Sequence, residues 1–239
     1  MLSKRYQQLL AGLVEEYIRT ARPVSSAHLV KNLGLNVSAA TVRSALHELE
    51  EAGFIQQPHT SAGRIPTDRG YRYYVDNLRD QHLTAKEQLS IEEQYKRLRG
   101  EHQQLSRGVA KLLSLLSHSV VLTGIPEAKE LQLAGLRQLL DQPESDSVEA
   151  VREVSEVVEA LDEYLHNFEA ATRQGPQVFI GEEIPFVRAK HTSVIVQGAH
   201  PEEQQKMMLV IVGPKRMPYQ RNVQLLNAVS EIIEEQSNE

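Results

Sequence analysis

The first 34 residues carry apolar positions at the spacing of two short amphipathic helices. In the first, apolar side chains recur every three or four residues along Ser3–Ile18, and Ser3 is a candidate N-cap. A second helix is predicted to begin after Ser25 or Ser26, and Gly34 supplies its C-terminal stop. The pattern therefore predicts two helices joined by a short connection.

A third amphipathic helix is predicted to begin at Ser38 and to end at Gly53. At about 100° per residue, Val42, Leu46 and Leu49 fall on one face and form a buried stripe. The opposite face carries Ala40, Arg43, Ser44 and His47, with Thr41 on its edge. A short helix, a glycine-containing turn and a second helix are typical of a helix-turn-helix.

A short hairpin is predicted directly after the third helix. Phe54–Gln57 has the pattern of a strand, Arg64–Pro66 that of its return, and His59–Gly63 forms the tip. Thr67 then caps a further helix with Asp68 in its first turn. The hairpin therefore has the position of a wing beside the third helix.

The remainder of the chain combines helices and strands. One long polar helix is predicted from Thr84 to Ser117, opened by a capping box, Thr84-Ala85-Lys86-Glu87. Further predicted helices are Leu131–Leu140, Ser147–Phe168 and Asn222–Glu234, with a loop at Gln142–Asp146. Predicted strands are Val120–Leu122, Val178–Ile180, Ser193–Val196 and Met207–Val212, the last stopped by Gly213-Pro214. The fold class is thus α+β, with a helical connector between the wing and the last part of the chain.

Composition narrows the class of protein. An apolar fraction of 41% and a charged fraction of 24% are typical of a globular protein. No apolar run reaches the roughly 18 residues of a membrane span, and the N-terminus lacks the apolar centre of a signal peptide. The chain has no cysteine, which excludes disulfides and thiolate metal sites. We expect a cytoplasmic protein that does not contact a membrane.

The net charge of -6 is unevenly distributed. Residues 1–80 hold 10 Lys and Arg against 8 Asp and Glu, whereas the remainder holds 16 against 24. The acidic excess therefore lies away from the helix-turn-helix, as a DNA-binding protein requires.

Signs of catalysis are weak. Glu182 and Glu183 are adjacent carboxylates, but they follow a predicted strand and are more simply explained as a polar turn. The nine histidines show no metal-ligand spacing, and no glycine-rich phosphate loop is present. We therefore expect no enzyme activity, no catalytic residue, no metal and no cofactor.

The motifs also resemble those of a known family. The segment Pro23-Val24-Ser25-Ser26, the helix start Ser38–Arg43 and the long run Gln57–Asp76 (QPHTSAGRIPTDRGYRYYVD) are similar to the HrcA family of bacterial heat-inducible transcription repressors. Weaker similarity occurs at Val178–Glu183 and Ile211–Tyr219. The likeness is strongest over Pro23 to Leu78.

The resemblance implies a domain organisation and a function. It implies a winged-helix DNA-binding domain at residues 1–80, a helical connector at 81–118 and a GAF-like α+β dimerisation domain at 119–239. That domain is reduced, since Ser119–Gln142 stands where family members carry a much larger region. Members repress chaperone operons by binding an inverted-repeat operator as homodimers, and chaperonin is the implied further partner. Heat stress relieves the repression.

Each candidate DNA-binding residue has an expected role. Arg43 and His47 are expected to contact base edges, with Ala40 and Ser44 allowing close approach. Phosphates are expected at Ser38, Thr41, Thr60, Ser61, Arg69 and Arg72, and Arg64 near the wing tip is expected in the minor groove. His59 at the wing tip is a further candidate DNA contact. The simpler alternative is that these residues form an ordinary solvated helix face and an ordinary polar loop. Two other functions stay open: a small-molecule-responsive winged-helix regulator and an RNA-binding winged helix.

Overall fold

The computed structural model describes residues 2–60, 62–78, 83–100, 105–125, 130–141, 147–164, 175–202 and 205–235. The chain forms two units, Met1–Arg79 and Asp80–Glu239. The first unit contains helices α1 Lys4–Thr20, α2 Ser26–Asn32, α3 Ala39–Glu51 and α4 Asp68–Asp76, and strands β1 Ile55–Gln56 and β2 Ile65–Pro66. All six elements lie where the sequence predicts them.

Side-chain caps explain why these helices begin where they do. Ser25 Oγ accepts a hydrogen bond from His28 N–H, and Ser38 Oγ accepts one from Thr41 N–H. Thr67 Oγ1 accepts from Gly70 N–H at the start of α4. Each bond satisfies a backbone donor that the first helical turn leaves unpaired.

The apolar stripes of the first unit meet in one core. Leu9, Leu10, Leu13 and Val14 of α1, Leu29 of α2, Val42, Leu46 and Leu49 of α3, and Tyr71 of α4 are all at most 3% exposed. Polar contacts add to this packing. The Glu16 carboxylate on α1 accepts hydrogen bonds from Arg19 and Asn32, and lies 2.8 Å from His28 Nε2. The carboxylate therefore joins α1 to α2.

The second unit contains a sheet between helices. Its helices are α5 Ala85–Gly100, α6 Leu105–Ser117, α7 Leu136–Leu140, α8 Val148–Tyr164 and α9 Tyr219–Glu235. Its strands are β3 Val120–Ile125, β4 Glu130–Ala134, β5 Gln177–Ile180, β6 Thr192–Glu202 and β7 Gln205–Pro214. The strands are antiparallel in the order β4-β3-β7-β6-β5. The α+β fold class is as predicted.

Alternate residues of the central strands face opposite helical layers. Leu122, Val194 and Val210 belong to a core with Val157 and Leu161 of α8. The other face packs on α6 and α9, where Thr123 Oγ1 donates to the Ser106 carbonyl oxygen and Ser193 Oγ lies 2.8 Å from the Tyr219 hydroxyl. Both faces of the sheet are therefore covered.

Two helix predictions in this unit are wrong. The segment predicted as one long helix from Thr84 to Ser117 forms two helices, α5 and α6, which contact each other. A single straight helix cannot do so. The capping box at its start is confirmed, because Glu87 accepts from Thr84 N–H and Glu87 N–H donates to Thr84 Oγ1.

The predicted helix Leu131–Leu140 is in fact strand β4 followed by α7. Between them Gly135 has φ +93°, and a Cβ there would lie 2.2 Å from the Ser119 carbonyl oxygen. The leucines of this segment have a spacing that also suits a helix, but backbone pairing with β3 makes the segment a strand. The predicted loop at 142–146 and the helix end at 165–168 lie outside the described residues.

Candidate nucleic-acid interface

The exposed face of α3 carries the residues expected to contact base edges. Val42, Ala45, Leu46 and Leu49 point into the core, whereas Ala40, Thr41, Arg43, Ser44 and His47 are all exposed. Ser38 at the cap is exposed as well, and its Oγ lies 2.8 Å from Thr41 Oγ1. The structure therefore brings these six predicted residues together on one surface.

Arg43 is the strongest hydrogen-bond donor on this surface. No hydrogen bond or ion pair to its side chain occurs within the described residues. Ser44 Oγ donates to the Ala40 carbonyl oxygen at 3.3 Å, which keeps its side chain close to the helix. The centre of the exposed face therefore carries small side chains, Ala40 and Ser44, beside the Arg43 guanidinium, which can donate hydrogen bonds to a ligand.

Towards the C-terminal end of α3 the surface becomes acidic. His47 is 66% exposed and lies 3.6 Å from the Glu51 carboxylate and 4.0 Å from that of Glu50. Glu48 accepts a hydrogen bond from the Tyr6 hydroxyl at 2.7 Å. These carboxylates repel phosphate, so the sugar-phosphate backbone of a bound nucleic acid would lie nearer the N-terminal half of α3.

The wing lies after α3, with strands β1 and β2 paired between Ile55 and Pro66. His59 and Thr60 at its tip are exposed, and Ser61 lies outside the described residues. Gln57 Nε2 donates to the carbonyl oxygens of Thr60 and Ala62, both at 2.9 Å. The tip is therefore fixed to the strand that precedes it.

Arg64 forms an ion pair within the protein. It lies at the base of the wing and not near the tip, and its side chain is only 18% exposed. Its Nη2 lies 2.9 Å from Glu50 Oε2. A minor-groove contact by Arg64 would therefore require its guanidinium to leave the Glu50 carboxylate.

Arg69 and Arg72 are also engaged within the protein. The Arg69 guanidinium lies 4.5 Å from the centre of the Phe54 ring, and its Nη1 donates to the Ala52 carbonyl oxygen at 2.7 Å. Arg72 Nη1 lies 3.1 Å from Asp76 Oδ1. Arg69 remains exposed while Arg72 is half-buried, so a phosphate would compete with these contacts.

Two residues of this surface were missed from the sequence, Gln57 and Glu50. Both act through contacts that local patterns do not encode. Gln57 closes its own hairpin, and the Glu50 carboxylate on α3 contacts Arg64, the residue directly before β2. The sequence offers one local signal for Gln57, which is its position as a polar residue directly before Pro58 in the turn.

The adjacent carboxylates Glu182 and Glu183, considered above as catalytic candidates, lie in the second unit. Glu183 accepts a hydrogen bond from Ile180 N–H at 2.9 Å in a short 3-10 turn, Gly181–Glu183, as a structural residue would. A space of about 10 Å³ beneath α8 is smaller than a ligand requires. No group of three or more His, Asp or Glu able to hold a metal is found in the described part of the chain. The helices described there include none long and apolar enough to cross a membrane.

Comparison with known proteins identifies the family. The model of the HrcA protein C-terminal domain matches residues 72–223, well over half of the chain. The chain belongs to the HrcA family. This confirms the family resemblance found from the sequence motifs.

Relatives with established names agree with this family. The heat-inducible transcription repressor HrcA of Synechococcus elongatus is 39% identical over 162 residues, which are 67% of this chain and 46% of that protein. The protein of the same name from Pelotomaculum thermopropionicum is 33% identical over 217 residues, 81% of this chain and 61% of that protein. This chain therefore spans only about half of the length of such HrcA relatives. Both relatives are named as transcription repressors and not as enzymes.

A solved structure of a hypothetical protein shares the fold. Its TM-score is 0.76 at 20% sequence identity, and the match covers 100% of this chain and 98% of that one. That likeness concerns the fold alone. The HrcA family model begins at residue 72, so most of the candidate interface precedes the matched segment.

Proposed function

We propose that this chain is a heat-shock transcription repressor. In this proposal it binds an inverted-repeat operator upstream of chaperone operons and releases it on heat stress. The observation that carries the proposal is the exposed face of α3 beside an ordered wing, with Arg43 able to donate. Membership of the HrcA family, whose relatives are named heat-inducible transcription repressors, supports the same function.

The contacts divide into two kinds. Arg43 and His47 read base edges in the major groove, while Ala40 and Ser44 permit close approach. Ser38, Thr41, His59, Thr60, Ser61, Arg69 and Arg72 hold phosphates and set the register. Arg69 and Arg72 do so by exchanging or extending their present contacts with Ala52 and Asp76.

The repressor acts as a homodimer in the bacterial cytoplasm. Two copies of α3 match two half-sites that are related by the same two-fold symmetry. The second unit dimerises and contains the heat-sensitive element, which unfolds before the winged helix. Chaperonin is the proposed partner that helps the repressor reach its active form.

A pair of variants tests the DNA contacts. Replacing Arg43 by Ala removes a base contact, which costs about 1–3 kcal/mol and relaxes sequence preference. Replacing Arg72 by Ala removes a phosphate contact, which weakens binding to every duplex and lowers the salt slope by about one unit. Binding is measured on a chaperone-operon inverted repeat and on a scrambled duplex. Equal losses on both duplexes for both variants would contradict the assignment of Arg43.

A small-molecule-responsive regulator is the second candidate. One observation favours it: an open depression of about 570 Å³ lies along residues 182–190, within the size range of ligand pockets. Operator binding by the purified protein that depended on an added metabolite would support this candidate. The third candidate is an RNA-binding winged helix. Comparing the protein's affinity for duplex DNA with its affinity for structured RNA distinguishes this candidate from a DNA-binding repressor.

A further inference from the structure

Arg64 joins the wing to two other parts of the first unit. Its N–H donates to the Val24 carbonyl oxygen and its own carbonyl oxygen accepts from Val24 N–H, both at 2.8 Å. The base of the wing is thereby bridged to the segment before α2. Through its side chain the same residue reaches Glu50, near the C-terminal end of α3, at 2.9 Å.

The ion pair between Arg64 and Glu50 is partly shielded from water. The two side chains are 18% and 27% exposed, and Arg64 Nε is buried without a hydrogen-bond partner among the described residues. Partly buried pairs are screened by salt much less than exposed ones. Salt therefore weakens this pair less than it weakens a fully exposed ion pair.

The surrounding backbone leaves the wing little freedom at its base. A Cβ on Gly63 would lie 2.5 Å from both the carbonyl carbon and the carbonyl oxygen of Val24, so glycine is required for this approach. The tip is held separately by Gln57, which donates to the carbonyl oxygens of Thr60 and Ala62. Among the described residues, the ion pair between Arg64 and Glu50 is the only one that joins the wing to α3.

We propose that Arg64 is a positioning residue whose ion pair with Glu50 fixes the wing relative to α3. With that separation fixed, the wing tip and the exposed face of α3 reach the duplex in one register. Arg64 therefore contributes to sequence preference without touching DNA. This inference rests on the proposed DNA-binding function.

Three variants distinguish positioning from contact: Arg64→Gln, Glu50→Gln and the double variant. Each single change is expected to lower the ratio of affinities for the inverted repeat and a scrambled duplex about tenfold. The double variant is expected to lose no more than either single one, because the pair acts as one unit. The salt slope on the repeat stays at the wild-type value, whereas a lost phosphate contact lowers it by about one.

Exchange of the pair and a charge control complete the series. Arg64→Glu combined with Glu50→Arg is expected to recover most of the lost preference. Lys4→Gln removes one exposed positive charge of the same unit outside the pair and is expected to leave the ratio unchanged. If Arg64→Gln melts below the assay temperature, Arg64→Lys replaces it, since it keeps the charge and loses the fork of donors.

Two results would overturn the inference. The first is a salt slope lowered by about one unit in Arg64→Gln while Glu50→Gln keeps the wild-type ratio, since Arg64 would then contact DNA itself. The second comes from amide hydrogen exchange without DNA, where residues 62–64 should exchange faster in both single variants. Unchanged exchange means that the pair does not hold the wing. A wild-type protein that does not prefer the repeat would defeat the proposed function, and the exchange result would still decide whether the pair holds the wing.

Discussion

Glu153 on α8 offers a quantitative test of the second unit's architecture. It is 7% exposed, and its carboxylate accepts three backbone hydrogen bonds from the first residue of β6 and the two residues before it. Oε2 accepts from Lys190 N–H at 2.9 Å, and Oε1 accepts from His191 N–H and Thr192 N–H, both at 2.8 Å. One side chain thus holds α8 to the sheet.

The change Glu153→Gln keeps the shape and removes the charge. With the amide oxygen at the Oε1 position, its NH₂ group faces Lys190 N–H, so one bond is lost and two donors meet. A hydrogen bond to a charged group contributes about 1.5–3 kcal/mol, and the two remaining bonds weaken to neutral ones. The lower desolvation cost of the neutral amide offsets part of this loss. We expect a destabilisation of about 2–3 kcal/mol.

The pH dependence of this loss has a definite sign. Burial acts to raise the pKa of Glu153, but the backbone N–H groups of Lys190 and His191 outweigh it and hold the pKa below its usual value. A lowered folded-state pKa stabilises the protein above the unfolded pKa of about 4.3, and this contribution is lost as the pH falls through the folded pKa. The difference between wild type and Glu153→Gln should therefore be full at neutral pH and shrink below about pH 4.

Calorimetry is the suitable assay, because the chain has no tryptophan to report unfolding. For a unit of this size, about 2–3 kcal/mol corresponds to a Tm lower by roughly 4–12 °C. Glu156→Gln on the exposed side of the same helix is the matched control and should stay within about 0.5 kcal/mol of wild type. A Glu153→Gln protein as stable as that control at pH 7, or a difference that grows as the pH falls, would refute the reasoning.

Changes at three further positions test other parts of the account. A Cβ on Gly70 would lie 2.1 Å from the Phe54 carbonyl oxygen, so Gly70→Ala should lower the Tm of the first unit by several degrees in a calorimetric scan. Val157 is fully buried under the sheet, and Val157→Ala should cost about 2 kcal/mol in urea unfolding. Ser38→Ala should cost about 1 kcal/mol by removing the N-cap. Ser38→Asp should keep that stability yet weaken DNA binding by repelling phosphate, and unchanged affinity would place no phosphate there.

The first unit was predictable because its signals are local. Ser25, Ser38 and Thr67 each cap the helix that follows, and Gly34 and Gly53 end the preceding ones with φ of +59° and +75°. Such signals depend on neighbours a few residues away. The exposed face of α3 followed directly from its helical periodicity.

The errors arose where distant residues decide the structure. The leucines of β4 suit a helix equally well, and only pairing with β3 makes them a strand. The ion pair between Arg64 and Glu50 likewise joins two different elements of the first unit. The Glu153 contacts with Lys190 and its neighbours join residues 37 to 39 positions apart, and no local pattern announces them.

The central claim is that this HrcA-family chain binds a chaperone-operon inverted repeat and releases it on warming. Its most direct test is the fluorescence anisotropy of an end-labelled repeat and of a scrambled duplex, titrated with the purified protein at increasing temperature. The account predicts a clear preference for the repeat at low temperature, which disappears over the range in which the second unit unfolds. Equal affinity for the two duplexes at every temperature would contradict it.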